Sequence, residues 1–205
     1  MPLLTLRTEN SLRRQGFSTI IGIDEVGRGC LVGPVVAAAV ILPPMMPKDD
    51  ARQIIRDSKT LSASQRAQAD AYLRRSAISF AIASSSAAEV DNLNIHHASL
   101  LAMRRAIESL PSSHLTGAYL LVDGKFCVPN LPIPQHSVIH GDAKILSIAA
   151  ASILAKVYRD NLLESLSLEY PAYGFSSHKG YGTAAHFDAL SHYGLTPHHR
   201  VTFCH

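Results

Sequence analysis

Apolar residues occur along the chain in two kinds of run, short continuous runs and longer runs with helical spacing. Short continuous runs bounded by glycine, proline or acidic residues are typical of buried strands. They predict five strands, over residues 20–25, 34–42, 77–83, 118–122 and 136–139. Only a glycine-rich turn separates the first two strands, which favours an antiparallel pair.

Apolar residues with helical spacing predict four helices, over residues 62–75, 95–110, 145–166 and 183–192. The first has Ser62 and Gln65 at the spacing of a capping box. The third begins with the small residues 149–151, which permit close packing on a sheet. Strands come first as a meander and then alternate with helices. This order predicts an α/β fold with a mixed central sheet flanked by helices.

Composition is that of an ordinary globular chain. It has 205 residues, of which 47% are hydrophobic and 17% are charged, and this excludes an intrinsically disordered protein. The length predicts one domain over residues 1–205, with a small helical C-terminal extension over about 171–205. The formal charge of +3 permits a polyanionic partner but does not require one.

Cysteine spacing and hydropathy predict the compartment. Cys30, Cys127 and Cys204 lie far apart, which indicates neither a zinc ribbon nor a disulfide framework and suits a reducing cytosol. The N-terminus lacks a signal-peptide pattern, and the longest apolar stretch, residues 31–42, is too short to span a bilayer. We therefore expect a soluble, cytoplasmic protein without membrane association, and a monomer as the default.

Four carboxylates lie at or just beyond the ends of predicted strands: Asp24, Glu25, Asp123 and Asp142. Ligands of α/β sheets gather beyond the carboxyl ends of strands, so neighbouring strands would bring these acids together. Unpaired carboxylates at such a distance repel one another, and a bound divalent cation removes the conflict. Oxygen ligands indicate Mg²⁺ or Mn²⁺ rather than Zn²⁺. The alternative is that each acid is only a turn or helix-cap residue.

The first acid pair leads directly into Gly27, Arg28 and Gly29. A glycine turn lets backbone N–H groups and a guanidinium approach an anion closely. Adjacent residues of a strand point to opposite faces, so the side chains of Asp24 and Glu25 should diverge. This arrangement suits an Asp24 that bridges two ions while Glu25 serves the second ion or a water.

Eight segments, in order, resemble those of bacterial ribonuclease HII, the type 2 ribonuclease H. The resemblance covers about residues 21–203, and the order and spacing of the segments together are far more specific than any one of them. The segments are GIDEVGRG, GPVVAAAVIL, DSKTLS, LLVDG, GDAK, IAAASILAKVYRD, HKGYGT and YGLTPHHR.

The resemblance implies an RNase H-like fold with a catalytic, metal-binding set of four carboxylates, namely Asp24, Glu25, Asp123 and Asp142. It implies hydrolysis of the RNA strand of an RNA–DNA hybrid by two Mg²⁺ or Mn²⁺ ions. It also implies a cut on the 5′ side of a single ribonucleotide within duplex DNA. The product ends would be a 5′-phosphate and a 3′-hydroxyl.

The resemblance also assigns substrate binding. The Gly-Arg-Gly turn would read the 2′-hydroxyl and nearby phosphates, the tyrosine of HKGYG the RNA–DNA junction, and the lysine of DSK a phosphate near the metals. These residues are Gly27, Arg28, Gly29, Tyr181 and Lys59. Four positions depart from the family pattern: Val26 and Val32 stand in place of alanine, Cys30 in place of proline and His140 in place of lysine. We expect Cys30 to loosen the turn, and His140 to make phosphate affinity depend on pH.

Three other classes of protein share part of this pattern. A sugar-kinase or actin-like ATPase also opens with a Gly-Ile-Asp strand, but Glu25 occupies the place of its phosphate turn and 205 residues are too few for two lobes. A DNA-only nuclease of the same fold has no need of the Gly-Arg-Gly turn and Tyr181. A silent nucleic-acid-binding module would not keep four carboxylates, which repel phosphate unless metal ions intervene.

Overall fold

The computed structural model describes residues 3–47 and 54–204, which are built around a five-stranded mixed sheet. Its strands are β1 (Thr19–Val26), β2 (Val35–Ile41), β3 (Ser79–Ser85), β4 (Ala118–Asp123) and β5 (Gln135–Val138). The strand order is β3-β2-β1-β4-β5. The β1–β2 and β2–β3 pairs are antiparallel, whereas β4 is parallel to β1 and β5 is parallel to β4. The predicted mixed sheet and the antiparallel first pair are confirmed.

Helices cover both faces of the sheet. They are α1 (Arg7–Arg14), α2 (Ala63–Ser76), α3 (Ala87–Glu108), α4 (Leu146–Glu169), α5 (Phe175–His178) and α6 (Ala184–Tyr193). Short 3₁₀ turns lie at Ser58–Thr60, Ser112–His114, Gly141–Ala143, Pro171–Tyr173 and Val201–Phe203. Both bonds of the predicted capping box form at the start of α2, where the Ser62 and Gln65 side chains each accept from the other's backbone N–H. None of the described helices is long and apolar enough to cross a membrane.

Helix α3 begins at Ala87, well before the predicted start at Ile95. The two starts are reconciled by a kink at Asn94, whose backbone has φ 63° and ψ 164°. The Asn94 side chain accepts hydrogen bonds from the backbone N–H groups of His96 and His97, as an N-cap does. The predicted helix is therefore the second segment of α3. The first segment, with only Ala87 and Val90 buried, has too weak an apolar stripe to predict from spacing.

The apolar run of β2 is continuous rather than alternating, because the whole strand is buried. Val36 and Val40 point into a core formed with α2 and α4. Val35 and Ile41 point the other way, into a core formed with α3. Because both faces of β2 are buried, neither face of the strand has polar residues.

Helix α4 lies directly on β1, as its small residues predicted. A Cβ atom at Gly22 would lie 2.2 Å from the backbone carbonyl carbon of Ser147, so only glycine fits at that crossing. On the other side of this contact, the buried carboxylate of Glu9 in α1 accepts a hydrogen bond from the Ser147 backbone N–H. The start of α4, which follows Asp142, is thereby fixed to the sheet.

The C-terminal extension (residues 171–204) packs on the last turns of α4. Leu163 and Leu166 of α4 share a small core with Phe175 of the extension. Two isolated antiparallel bridges, Cys30 with Tyr181 and Val32 with His199, join the extension to the β1–β2 connection. We call that connection the glycine loop (residues 27–34), and residues 178–183 the tyrosine loop.

Candidate active site

The structure brings the four predicted carboxylates to one edge of the sheet. Asp24 and Glu25 lie near the carboxyl end of β1, and Asp123 is the last residue of β4. These strands are parallel neighbours, and the last residues paired between them are Ile23 and Val122. Asp142 lies in the 3₁₀ turn that follows β5, the next strand of the sheet.

Asp24 and Glu25 face opposite sides of the sheet, as expected for neighbours in a strand. Gly22, two residues before Asp24, faces α4. Ile23, two residues before Glu25, belongs to the core that contains α3. The acid pair thus presents one carboxylate on each side of the end of β1.

Asp24 is an interior carboxylate with only 4% of its surface exposed. Burial raises its pKa well above the ordinary value, and the nearby charges of Glu25 and Asp123 raise the pKa further. Hydrogen bonds from the Ser152 hydroxyl and from the Glu25 backbone N–H, the latter 2.7 Å long, oppose this rise only in part. The negative charge of Asp24 is therefore destabilised unless a cation is close to it.

Only one of the two carboxylate oxygens of Glu25 has a partner among the described residues. Its Oε1 lies 3.1 Å from the Arg28 guanidinium, whereas its Oε2 is buried and has no hydrogen-bond partner in the described part of the chain. Burial raises the pKa of Glu25; Arg28 opposes that shift and Asp123 adds to it. A buried carboxylate oxygen without a donor carries a large desolvation penalty, which a cation or a bound water would remove.

Asp123 and Asp142 are connected through the backbone between them. The Gly141 N–H donates to Asp123 Oδ1 at 2.6 Å. Burial raises the pKa of Asp123, and the charge of Asp142 adds to that shift. Lys59 lies across the cleft, with Nζ 3.5 Å from Asp142 Oδ2. Partial burial works to lower the pKa of Lys59, but Asp142, Asp24 and Asp57 together raise it.

These donors fit a hard divalent cation. They are oxygen atoms, two of the carboxylates are almost fully buried, and their charges are not balanced by the two nearby cationic side chains. Among the described residues no three acids, histidines or cysteines already converge on a single ion position. Mg²⁺ usually keeps several waters and takes only one or two protein carboxylates, so such convergence is not required.

The predicted substrate residues lie beside this edge. Gly27 has φ +92°, and a Cβ there would lie 2.2 Å from Arg159 Nε. Gly29 has open space around the position of a Cβ. The Leu31 N–H donates to the Gly180 carbonyl at 2.8 Å, which places the half-exposed Tyr181 ring next to the glycine loop.

Sequence reasoning missed two buried arginines, Arg159 and Arg200, which are the largest fully buried side chains of the described residues. Arg159 lies on α4, the long helix that the sequence predicted. Its position did contain a signal, since Ala155 and Leu163 lie four residues away on either side and are both buried. An arginine on the apolar stripe of a helix is an interior arginine.

His199, the second of the adjacent histidines 198 and 199, is a buried packing residue. Its Nδ1 accepts from the Thr196 backbone N–H, so its proton must lie on Nε2. That proton faces His186 Nε2 at 3.1 Å, and His186 Nδ1 in turn donates to the Tyr181 carbonyl at 2.9 Å. Two neutral histidines therefore hold the backbone of the tyrosine loop.

The substitution His199→Asn is expected to flatten the loss of folding stability in acid. Burial, and then the neighbouring His186, lower the pKa of His199 to about 4. The unfolded residue takes up a proton below about pH 6.5, so its stabilising contribution is complete above that pH and is lost as the pH falls towards about 4. The whole difference is about 3 kcal/mol.

Urea unfolding at about pH 7 and about pH 4.5 measures this difference. The exposed His192 gives a matched control, His192→Asn, which should keep the pH dependence of the wild-type protein. An unchanged pH dependence in His199→Asn would contradict the assignment.

The sheet order, with carboxylates at the ends of its parallel central strands, defines the protein as an RNase H-like hydrolase. Within that class, the chain belongs to the ribonuclease HII family, whose model, described as Ribonuclease HII, matches residues 21–205.

Individual relatives agree with this assignment. Ribonuclease HII of Syntrophotalea carbinolica is 50% identical over 195 residues, which cover 95% of this chain and 90% of that protein. The crystal structure of ribonuclease H2 from Pyrococcus horikoshii has a TM-score of 0.72 at 24% identity, and the match covers 90% of this chain and 93% of that chain. Bst-RNase HIII, crystallised in complex with Mn²⁺, has a TM-score of 0.62 at 17% identity, and the match covers 90% of this chain and 65% of that chain. The two crystal structures show that the fold is shared.

Membership makes the protein a type 2 ribonuclease H, an endonuclease that acts on the RNA of RNA–DNA hybrids. The ATPase, the DNA-only nuclease and the silent binding module are therefore rejected.

Proposed function

We propose that the protein cuts the RNA strand of RNA–DNA hybrids, and the 5′ side of single ribonucleotides in duplex DNA, with the help of two divalent ions. The products carry 5′-phosphate and 3′-hydroxyl ends. The observation that carries the proposal is the group of four carboxylates, of which Asp24, Glu25 and Asp123 have raised pKa values, beside a glycine loop in which a Cβ at Gly29 would meet no atom within 4 Å.

The metal-binding roles are assigned from burial and direction. Asp24 is close enough to both Glu25 and Asp123 for their charges to raise its pKa, so we assign it to both ions. Glu25 faces the other side of β1, and its Oε2, which has no hydrogen-bond partner among the described residues, would hold one ion or that ion's water. Asp123 and Asp142 complete the set. When bound, Mg²⁺ or Mn²⁺ would activate a water and stabilise the leaving oxygen of the phosphodiester.

The substrate-binding roles follow from exposure and backbone freedom. A 2′-hydroxyl both donates and accepts hydrogen bonds, and it distinguishes ribose from deoxyribose. Backbone groups at Gly29, which have no nearby side chain, can approach that hydroxyl, and Tyr181 offers an exposed ring to the sugar. Lys59, whose side chain is 81% exposed, can contact a phosphate while it remains close to Asp142. Arg28, paired with Glu25, is placed to contact a second phosphate.

Hybrid cleavage should depend fully on a divalent ion and yield 5′-phosphate ends. The expected result is cleavage with Mg²⁺ or Mn²⁺, none with the chelator EDTA, and RNA products that a 5′-phosphate-dependent exonuclease degrades. Cleavage that persists in EDTA, or 2′,3′-cyclic phosphate ends, would contradict the ion mechanism, because cyclic ends arise when the ribose hydroxyl itself attacks. A chain of the same length made only of DNA serves as the uncut control.

A further inference from the structure

Two arginines lie in the interior without a carboxylate partner. Arg159 of α4 and Arg200 of the C-terminal extension are both 0% exposed. Neither occurs in an ion pair within the described part of the chain, although Asp91 is near enough to raise the pKa of Arg200. Burial, and then the charge of Arg159, outweigh that effect and lower the pKa of Arg200 to about 10. Burying two guanidinium groups in this way is costly and calls for a function.

Backbone carbonyls of the glycine loop accept five hydrogen bonds from these two guanidinium groups. Arg159 donates to the carbonyls of Pro34 and Val32 at 3.0 and 2.9 Å. Arg200 donates twice to the Gly33 carbonyl, at 3.0 and 2.9 Å, and once to the Arg28 carbonyl at 3.0 Å. The loop is therefore held at four of its eight residues by side chains from outside it.

Arg159 also reaches the tyrosine loop. Its Nη1 donates to the Lys179 carbonyl at 2.9 Å, two residues before Tyr181. A Cβ at Gly27 or Gly180 would lie 2.2 Å or 3.3 Å from this guanidinium, so a glycine of each loop packs against it. One planar group thus touches both loops to which we assign ribose recognition.

We propose that Arg159 and Arg200 are positioning residues that hold the glycine loop against the tyrosine loop, so that selection of ribose over deoxyribose depends on their forked hydrogen bonding. This inference rests on the proposed function, because it assumes that these two loops read the ribose. The arginines do not touch the substrate, since neither side chain is exposed.

These hydrogen bonds depend on the forked shape of the guanidinium group and not only on its charge. Each planar guanidinium donates three bonds: those of Arg159 go to three different carbonyls, and those of Arg200 go to two. Lysine keeps the charge but presents one nitrogen on a flexible stem, so it cannot reproduce either planar set of three bonds. The substitutions Arg159→Lys and Arg200→Lys therefore separate positioning from electrostatic attraction of the substrate.

The test measures binding in an Asp24→Asn background with Mg²⁺, where cleavage does not interfere. Fluorescence anisotropy compares a DNA duplex that carries one ribonucleotide with the same duplex made only of DNA. In each lysine variant, the preference for the duplex with the ribonucleotide should fall by about 10-fold, whereas affinity for the duplex made only of DNA should change by less than about 2-fold. The control Arg13→Lys removes a fork that joins Asn10 and Leu42, at the end of β2 opposite the glycine loop, and should leave the preference unchanged.

A further variant, Gly180→Ala, tests the inference even if the lysine variants do not fold. Gly180→Ala would place a Cβ 2.9 Å from Val32 Cγ1 and separate the two loops without altering an arginine. It should lose the preference to a similar degree. A full preference in folded Arg159→Lys, Arg200→Lys and Gly180→Ala would overturn the inference, as would an equal loss of affinity for both duplexes. The parent protein separates the two questions: if it shows no preference, the proposed function fails and the inference fails with it.

Discussion

Asp24→Asn is expected to lower the rate of hybrid cleavage by on the order of 10³-fold or more, while the protein stays folded and binds the hybrid. Asparagine has the shape of aspartate but no charge, so the ligand assigned to both ions is lost. The effect on folding should have the opposite sign. Because burial and two neighbouring carboxylates destabilise the charge of Asp24, its removal should raise the free energy of unfolding at neutral pH.

Single-turnover cleavage, hybrid binding and urea unfolding test the three parts of this prediction. Asp70→Asn is the matched control, since Asp70 is also a buried aspartate but lies on α2 and pairs with Arg74. That variant should cleave at a rate within about 2-fold of the wild-type protein. Near-normal turnover by Asp24→Asn would exclude Asp24 as an essential ligand.

Gly27→Ala is expected to cost about 3 kcal/mol of folding stability and about 10²-fold in cleavage rate. The residue has φ +92°, and a Cβ there would lie 2.2 Å from Arg159 Nε in a fully buried group. Because Arg159 cannot move away without leaving the carbonyls that it holds, the glycine loop must shift. A shift of about 1 Å at a positioned group is enough for a loss of this size.

Gly29→Ala, two residues further along the same loop, provides the comparison. A Cβ at Gly29 meets nothing within 4 Å, so the free energy of unfolding should change by less than about 0.5 kcal/mol. Any loss of cleavage in this folded variant then reports the approach of the substrate to the backbone. Equal stability losses in the two variants, measured by urea unfolding, would contradict the contact between Gly27 and Arg159.

Much of the fold follows from local pattern. The apolar runs of β1 and β2 and the short turn between them predict an antiparallel pair, and a capping box in the sequence marks the start of α2. β3 begins at Ser79 rather than the predicted Ala77, because its half-buried residues mark the boundary weakly. The first part of α3 was missed because its signal is the Ser86–Glu89 capping box rather than apolar spacing.

The site was predictable where chemistry lies at the end of a strand and was not where it depends on long-range packing. Asp24, Glu25 and Asp123 could be placed because parallel strands end together. The apolar stripe of α4 could indicate that Arg159 is buried, but the partners of Arg159 and Arg200 could not be predicted, because most of them are carbonyls more than a hundred residues away and a carbonyl has no sequence signature. The expectations for Cys30 and His140 stay predictions, although Cys30 is fully buried against the tyrosine loop.

The central claim is that the carboxylates and the two loops together direct an ion-dependent cut to a ribose. The most direct measurement is the position of cleavage in a DNA duplex that contains one ribonucleotide, mapped at nucleotide resolution with Mg²⁺ and with EDTA. We predict a single cut on the 5′ side of the ribonucleotide with Mg²⁺ and an intact duplex with EDTA. An intact duplex under conditions in which the protein cuts an RNA–DNA hybrid, or a cut at another position, would contradict the account.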